Sequence, residues 1–234
     1  AVIPARGGSK RIPKKNIIDF FGKPMIAWTI EAAMETGIFD RVIVSTDDSE
    51  IASVAKLYGA EVPFLRDKYF DDHSPVSLAT ITALNQLHHY ENETFDTVVQ
   101  LLPNCPLRTS KYIKEAYEHY LMSGASFQIS CFKFGWMNPW WAFKLDEQSR
   151  PIPLFPDKIN KRSQDLPELF CPTGAVWIAD VKALLAEGTF YGTGYQFYCM
   201  DWRAAIDIDD LDDLKIARAL YLMDKLDDVE VIKE

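Results

Sequence analysis

The sequence predicts an α/β fold with a Rossmann-like, mostly parallel sheet, helices on both of its faces and an inserted arm. Apolar runs rich in β-branched residues alternate with runs of helical periodicity, which is the pattern of βαβ units. The stretch 135–167 interrupts this alternation. At 234 residues, the chain is long enough for one substantial core with a small appendage.

The alternation sets the order of the elements. The predicted strands are Ala1–Pro4, Arg41–Ser45, Thr97–Leu102, Phe127–Phe132 and Ala175–Ala179. The predicted helices are Met25–Thr36, Ser49–Tyr58, Val76–His89, Lys111–Met122 and Leu211–Met223. Because active sites in such sheets lie beyond the carboxyl ends of the strands, we expect the loops after Pro4, Ser45 and Leu102 to lie near one another.

The inserted arm, residues 135–167, divides the chain into three parts. It holds Trp136, Trp140 and Trp141, five of the chain's 13 prolines and a polar run from Lys158 to Asp165. Such a stretch is too irregular for a core layer. We therefore expect residues 1–134 and 168–234 to build the α/β core together, with the arm outside it.

Composition excludes several classes of function. A formal net charge of -9 and a pI near 5.0 argue against sequence-independent nucleic-acid binding, which needs many Lys and Arg contacts to phosphates. The chain has no apolar run of about 18 residues, so we expect no membrane span, and no signal peptide pattern is visible. The four cysteines form no C-x-x-C pair and indicate reduced thiols in the cytoplasm. Because Ala1 opens inside a predicted strand, we expect a few residues to precede it.

A dense basic cluster directly after the first predicted strand is the strongest functional signal. Between Arg6 and Lys15 the chain carries five basic residues around Gly7, Gly8 and Ser9. Glycines allow positive φ and close backbone approach, so backbone N–H groups can point at phosphate oxygens. The spacing fits neither a P-loop nor a dinucleotide-binding motif. A solvated basic face is the alternative, but the Gly-Gly-Ser sequence favours a bound nucleoside triphosphate.

A run of acids near the end of the chain is the second signal. If Ala205–Ile208 is a strand, Asp207 and Asp209 project to the same face, and two carboxylates on one face suit Mg²⁺. The following acids would open a helix, and for these we favour capping of the helix dipole over metal binding. They are Asp210, Asp212 and Asp213.

The basic cluster and several motifs that follow it resemble one family. The segment Ile3–Asn16 is similar to the signature loop of the CMP-sialic acid synthetases, the acylneuraminate cytidylyltransferases that activate nine-carbon keto acids. Gly8 and Lys10 resemble the nine-carbon, nonulosonic acid branch, since the synthetase acting on eight-carbon Kdo has Arg-Tyr-Gly-Ser-Thr-Arg-Leu-Pro in this loop. Further motifs match along nearly the whole chain: Gly22–Ile26, Val42–Asp48, Phe64–Arg66, Pro106–Arg108, Ser163–Pro167 and Ile206–Asp209.

The resemblance implies a reaction and a set of nucleotide contacts within residues 1–134, with metal-binding acids in 168–234. CMP would pass from CTP to the anomeric hydroxyl of the keto-sugar acid, with release of pyrophosphate. Lys15, Asp209 and Arg6 would be catalytic, with Asp209 taking the hydroxyl proton, and Asp207 and Asp209 would hold Mg²⁺. The CTP contacts would be Arg6, Ser9, Lys10 and Arg11 at the phosphates, Lys15 and Asn16 near the α-phosphate and ribose, and Arg66 at the cytosine.

The same resemblance assigns the arm to sugar binding and dimerisation. The arm would exchange between the subunits of a cytoplasmic homodimer, so that Arg162 and Gln164 act in the neighbour's site, and Thr173 would complete the sugar contacts. The chain departs from the family pattern on the sugar side, which leaves the nine-carbon acid unidentified. Here Leu102, Ser163, Cys171 and Thr173 replace the family's Gln, Arg, Arg and Asn.

The tryptophans of the arm have two interpretations. Methyl groups of a less polar relative of sialic acid, such as a 6- or 9-deoxy diacetamido sugar of the legionaminic or pseudaminic type, could pack on them. Equally, they could form the core of a dimer interface, where aromatic residues are enriched.

Two other functions are also compatible with the basic cluster. One is a nucleotidyltransferase for Kdo, another sugar or a polyol phosphate. The other is a non-catalytic nucleotide-binding regulatory module, which the presence of both Asp207 and Asp209 argues against. Cys105, in the turn after a predicted strand, could react with thiol reagents, but we favour a buried packing role for it.

Overall fold

The computed structural model describes residues 1–69, 71 and 74–230 and is built around a six-stranded sheet. In chain order the strands are β1 (Val2–Pro4), β2 (Asp19–Phe20), β3 (Lys23–Pro24), β4 (Ile43–Ser45), β5 (Thr97–Gln100), β6 (Phe127–Lys133), β7 (Phe143–Leu145), β8 (Pro151–Pro153), β9 (Phe170–Asp180) and β10 (Gln196–Cys199). The main sheet has the order β10-β6-β9-β5-β1-β4, while β2 with β3 and β7 with β8 form separate hairpins.

The main sheet is mostly parallel, as predicted, with β9 as its antiparallel member. β1 runs parallel to β4 and β5, and β6 runs parallel to β10. β9 pairs antiparallel with both β5 and β6. The β6–β9 ladder extends as far as Lys133 and Phe170. Residues 134–169 therefore form an excursion at the tip of a long hairpin.

Helices cover the sheet. Among the described residues the α-helices are α1 (Met25–Thr36), α2 (Ser49–Leu57), α3 (Val76–Glu91), α4 (Ser110–Ser123), α5 (Val181–Glu187) and α6 (Leu211–Glu230). Local chemistry fixes several ends: Asp48 begins α2 by accepting the N–H groups of Glu50 and Ile51, and Gly37 ends α1 in the left-handed conformation, at φ 64°. Within the described part of the chain, no helix is both long enough and apolar enough to cross a membrane.

Successive strand residues pack into separate cores on the two faces. Ile3 and Val99 pack with apolar residues of α1, α2 and α4. Val2 and Val98, one position earlier in each strand, pack with residues of α3 and α5. This alternation is the two-residue period of a strand, and it confirms that helices lie on both faces.

A smaller apolar cluster joins loops at the carboxyl edge of the sheet. Ile12 from the basic cluster and Ile208 from the acidic run are both buried in it. Phe20, Met25 and the α6 residue Leu214 complete the contacts. The cluster therefore packs the basic and acidic segments against each other, although they are almost 200 residues apart in the chain.

The arm lies outside the main sheet and carries the β7–β8 hairpin. Trp140 fixes its base, because the indole N–H donates to the Pro167 carbonyl at 2.8 Å and the ring packs edge-to-face on Phe155. Phe143 is exposed, and Trp136 is 85% exposed. Exposed apolar patches of this kind mark interaction surfaces, and exchange of the arm between subunits stays a prediction.

Some elements differ from those predicted. β10 and α5 occupy segments for which no element was predicted. The segment Ala205–Ile208, considered as a strand in placing Asp207 and Asp209 on one face, turns instead: the Ala205 N–H donates to the Asp201 carbonyl at 3.1 Å. Ile208 is held by its N–H bond to the Asn104 carbonyl, at 2.9 Å, outside any strand ladder.

Gly192→Ala should destabilise the protein. A Cβ at this position would lie 2.3 Å from the Phe127 ring, which is fully buried and has no room to move. We expect a loss of about 1–3 kcal/mol in the free energy of unfolding, measured by urea denaturation. Gly135→Ala is the matched control, because nothing lies within 4 Å of a Cβ there. Equal stabilities of the two variants would contradict close packing at Gly192.

Candidate active site

Two adjoining cavities lie at the carboxyl edge of the parallel strands. The first cavity has a volume of about 510 Å³ and the second of about 490 Å³. Leu102, which follows β5, lines both of them. Gly174 faces this side chain so closely that a Cβ would lie 2.1 Å from it. One leucine side chain thus forms the boundary between the cavities.

The first cavity is rich in positive charge. Its walls come mainly from the basic loop (residues 6–15), the 3-10 helix Lys15–Ile17 and the turn after β5. Five cationic side chains line it, so it suits a polyanion. The structure brings together in this cavity all seven residues predicted to contact CTP: Arg6, Ser9, Lys10, Arg11, Lys15, Asn16 and Arg66.

Hydrogen bonds within the basic loop and to its neighbours fix the conformation of the loop. The Gly7 N–H donates to Asp47 Oδ1 at 3.0 Å, and the Ser9 N–H donates to the Gly7 carbonyl at 2.9 Å. The buried Asn16 donates from its side-chain amide to the Arg6 carbonyl at 2.8 Å. Asn16 therefore positions the loop as well as lining the cavity.

Position 7 requires glycine because a side chain would not fit there, and not because the backbone has a positive φ. The expected left-handed backbone is absent at Gly7 and Gly8, and Lys14 adopts it instead, at φ 54°. A Cβ on Gly7 would lie 2.6 Å from the carboxylate of Asp48. That carboxylate is held in place because it caps α2, so the loop can approach it only with a glycine.

Arg66 is a buried donor in the wall of the first cavity. The residue is 4% exposed, and Nη1 donates to the Ser45 carbonyl at 2.9 Å. Nη2 lies 4.0 Å from Asp47 Oδ1, and Nε has no hydrogen-bond partner among the described residues. Burial lowers the pKa of this guanidinium. A buried donor without an acceptor costs about 1–3 kcal/mol.

Asp209 holds two cations at the first cavity. Lys15 Nζ donates to Asp209 Oδ1 at 2.9 Å and to the Ile208 carbonyl at 2.8 Å. Arg11 Nη2 donates to Asp209 Oδ2 at 2.7 Å. Burial opposes ionisation of Asp209, but the hydrogen bonds and charges of Lys15 and Arg11 outweigh it and lower its pKa. Asp209 is therefore ionised at neutral pH.

Asp207 lines the second cavity. The Asn104 side-chain amide donates to the Asp207 carboxylate, and also to the Ile208 carbonyl at 3.2 Å. Burial, reinforced by the charge of Asp209, raises the pKa of Asp207 to about 6. The prediction that both acids lie on one strand face is wrong, because the segment is irregular and places them in adjoining cavities.

The second cavity is mainly apolar. None of the described residues that line it is cationic. Thr173 lies in its wall, where its hydroxyl donates to the Ala205 carbonyl at 2.7 Å and its carbonyl accepts the Trp177 indole N–H at 2.7 Å. The apolar side chains that line the cavity are Leu102, Phe132, Pro172, Trp177, Tyr191, Trp202, Ala205 and Ile206.

The predicted sugar contacts from the arm lie elsewhere in the chain. Arg162 and Gln164 are exposed and line neither cavity. The Arg162 guanidinium pairs with Asp165, from Nε to Oδ2, at 2.8 Å. A single chain thus brings Thr173 to the second cavity but not Arg162 or Gln164. Trp136, Trp140 and Trp141 also line neither cavity.

Several site residues were not foreseen as such. Asn104 lies in a Pro-Asn-Cys-Pro turn after a strand, and this position at the carboxyl edge of the sheet could have indicated a role in the site. Trp177 falls inside a predicted strand and is expected there as a core residue, whereas Trp202 lies in a turn without a motif. Cys105 is fully buried, and burial raises the pKa of its thiol, in agreement with a packing role.

Comparisons with known proteins point to one class. The family model described as "Cytidylyltransferase" matches residues 1–135. A pseudaminic acid cytidylyltransferase of Campylobacter jejuni is 38% identical over 221 residues, which cover 94% of each chain. A CMP-N,N'-diacetyllegionaminic acid synthase of Legionella pneumophila is 34% identical over 200 residues, which cover 82% of each chain.

A solved structure shares the fold. The structure of CMP:2-keto-3-deoxy-manno-octonic acid synthetase complexed with CTP aligns with a TM-score of 0.69 over 95% of this chain and 98% of that chain, at 18% identity. Fold and sequence together define a nucleotidyltransferase. The chain belongs to the cytidylyltransferase family, and the resemblance to its nonulosonic acid branch is confirmed.

Asp207→Asn should stabilise the folded protein at neutral pH. The pKa of Asp207 is about 6 in the folded protein and 3.8 ordinarily, so the folded protein binds this proton more tightly than the unfolded chain does. The resulting contribution to stability is complete below pH 3.8 and is lost as the pH rises through 6. Asparagine avoids the loss and keeps an oxygen that accepts from Asn104. Between pH of about 4 and about 8, the stability of the variant relative to wild type should rise by up to about 3 kcal/mol.

The measurement is thermal or urea unfolding of chelator-treated protein across this pH range. Asp212→Asn is a surface control, since Asp212 is exposed and pairs with Lys215. A stability difference for Asp207→Asn that does not change with pH would contradict the raised pKa.

Proposed function

We propose that this chain transfers CMP from CTP to the anomeric hydroxyl of a nine-carbon keto-sugar acid, with release of pyrophosphate. The observation that carries the proposal is the pair of adjoining cavities, one cationic and one apolar, which share Leu102 and are lined by Asp209 and Asp207, respectively. The names of the relatives point to acids of the pseudaminic or legionaminic type. The cytoplasm, where CTP is made, is the proposed compartment.

CTP would occupy the first cavity. Arg6, Lys10 and Arg11 of the basic loop would neutralise the triphosphate, and Ser9 would donate to it. Asn16 would keep the loop in place beside the ribose through its bond to the Arg6 carbonyl. Arg66, whose guanidinium lies in the wall of the cavity, would donate to the carbonyl oxygen of cytosine.

The acceptor hydroxyl would attack the α-phosphorus as the bond to pyrophosphate breaks. Lys15, already placed at the acids, would neutralise the charge that develops on the phosphoryl oxygens. The hydroxyl proton would go to Asp209. In the free protein, Lys15 and Arg11 occupy Asp209; a bound triphosphate would draw both cations away and leave that carboxylate available.

The acid pair fits a magnesium ion. No group of three or more His, Cys, Asp or Glu side chains that could hold a metal occurs among the residues described. Mg²⁺ in phosphate-transfer sites is commonly held by one or two carboxylates together with substrate phosphates. Asp207 and Asp209 supply two such carboxylates, and the raised pKa of Asp207 shows that its surroundings disfavour a negative charge without a cation. Mg²⁺ held there would neutralise charge on the triphosphate.

The carboxylate of the acceptor needs a cation that the second cavity does not supply from its own lining. The exposed apolar surface of the arm suits burial against a second copy of the chain. We infer a homodimer in which exchanged arms bring Arg162 and Gln164 to the neighbour's second cavity, beside Thr173. Arg162 would then leave its local partner Asp165 for the sugar carboxylate.

The lining of the second cavity favours a less polar sugar. Trp177, Tyr191 and Trp202 offer apolar faces on which methyl and acetyl groups can pack. The hydroxyl of Thr173 and the indole N–H of Trp177 already have partners, so few groups remain to bond additional sugar hydroxyls. The aromatic surface available in one chain therefore comes from these residues and not from the tryptophans of the arm.

A panel of acceptors tests the reaction and the sugar class together. With CTP and Mg²⁺, we expect pyrophosphate release with pseudaminic or legionaminic acid at a kcat/KM about ten- to a hundredfold above that with sialic acid, because an apolar pocket discriminates against added hydroxyl groups only to that extent. Kdo and an assay without acceptor are the controls. An equal or higher kcat/KM with sialic acid would contradict the sugar class. CTP binding without pyrophosphate release for every acid would contradict the transferase.

Complementation of two inactive variants tests the exchanged arm. Lys15→Ala and Arg162→Ala, each inactive alone, should regenerate activity when they are unfolded, mixed and refolded together. Random mixing makes half of the dimers mixed, and each mixed dimer has one intact site of two, so about one quarter of the wild-type activity is expected.

The control is the double variant Lys15→Ala/Arg162→Ala mixed with Lys15→Ala, in which no intact site can form. Native mass spectrometry verifies that mixed dimers are present. Mixed dimers without activity would show that Arg162 acts within its own subunit and would exclude the exchanged arm.

A further inference from the structure

A pair of thiols at the edge of the sheet has no part in the proposed reaction. Cys131 in β6 and Cys199 in β10 lie directly across from each other in the parallel ladder. The ladder continues beyond them, since the Met200 N–H donates to the Cys131 carbonyl at 2.9 Å. Residues aligned on neighbouring strands project to the same face of a sheet. The two thiols are therefore neighbours in space.

Their separation suits a covalent bond. Neighbouring strands lie about 4.8 Å apart, which falls within the range of about 4.4–6.8 Å that disulfides span between Cα atoms. The thiols also influence each other. Burial raises the pKa of Cys131 to about 12, and Cys199 adds to the shift through its charge and a thiol–thiol hydrogen bond.

The two thiols differ in their access to solvent. β10 is the edge strand of the main sheet, and Cys199 at its end is exposed. Cys131 is only 1% exposed and lies one strand further in. A dissolved oxidant can reach Cys199 first, whereas the Cys131 sulfur is placed to react with Cys199.

We propose that Cys131 and Cys199 are a modification site that takes a hydroperoxide and closes into a reversible disulfide. The hydroperoxide oxidises the Cys199 thiol to a sulfenic acid and is itself reduced to the alcohol, or to water when it is hydrogen peroxide. The Cys131 sulfur then attacks the Cys199 sulfur. An S–S bond forms, and the sulfenic oxygen leaves as water with the Cys131 proton. A dithiol reverses the reaction by exchange.

The bond would act on the second cavity. It would tie the last residue of β10 to β6 immediately before the segment 200–209, which supplies Trp202, Ala205 and Asp207 to the cavity wall. This consequence, unlike the disulfide itself, rests on the proposed function. Because a displacement of about 1 Å in positioning groups costs up to about a hundredfold in rate, kcat/KM for the sugar acid should fall by about ten- to a hundredfold, with CTP affinity unchanged.

The experiment treats the full chain with hydrogen peroxide, blocks the remaining thiols with iodoacetamide and maps the peptides by mass spectrometry. Before oxidation, iodoacetamide should modify Cys199 and spare Cys131. After oxidation, a Cys131–Cys199 cross-linked peptide should appear in wild type and in Cys171→Ser, disappear on treatment with dithiothreitol and be absent from Cys199→Ser. Acceptor turnover by Cys199→Ser should resist peroxide.

Several outcomes would overturn the proposal. Irreversible oxidation of Cys199 to sulfinic acid without a cross-link would exclude the pair, and a cross-link to Cys171 would assign the bond to another thiol. A cross-link that leaves kcat/KM for the acceptor unchanged would exclude an effect on the second cavity. Failure of the transferase assay in all forms, with the cross-link still present, would reject the proposed function and leave the thiol pair intact.

Discussion

The packing of the basic loop against the segment 206–210 is the contact on which the candidate site depends. Ile12 and Ile208 are buried together in one apolar cluster, which fixes the distance between the two segments. Only with that distance fixed can Lys15 reach both the Ile208 carbonyl and Asp209. The Lys15 side chain is 16% exposed whereas that of Arg11 is 63% exposed, so screening by water weakens the Arg11 pair far more. Apolar burial thus places the charges, and the ion pairs then reduce repulsion among the cations.

The antiparallel direction of β9 explains how the second cavity is built. Parallel strands bring their carboxyl ends to the site edge, while β9 arrives there with its beginning, so that Cys171–Gly174 become cavity wall just after the arm ends. The buried Arg108 joins this start to the turn after β5, donating to the carbonyls of Leu102 and Ala175. The arm and the cavity are therefore adjacent because one hairpin contains both, and a parallel β9 would separate them.

Local signals account for what the sequence could predict. α1 was predicted to the residue because Pro24 and Gly37 punctuate its two ends. The CTP residues were predicted because most of them lie in one short segment. The lining of the second cavity could not be predicted from the sequence, since Trp177 and Trp202 come from separate segments and neither lies in a recognisable motif. β10 was missed because an edge strand with three exposed residues of four shows no alternation. At Ala205–Ile208 the arrangement of the two acids depended on a strand, but the chain turns there and closes on Asp201.

The buried polar groups that lack a hydrogen-bond partner or a neutralising charge are of two kinds. Among the described residues, Arg108 Nε and Nη2 have no hydrogen-bond partner, but Arg108 lines neither cavity, and its remaining nitrogen, Nη1, fixes the backbone between them. Arg66 and Asp207 differ, because each faces a cavity. The first is a donor without an acceptor at Nε, and the second is a carboxylate whose charge its surroundings disfavour. Each state costs folding free energy on the order of 1–3 kcal/mol. The two deficits have opposite chemistry: the wall of the first cavity holds a donor without an acceptor, and the wall of the second holds a carboxylate that favours a cation or a proton.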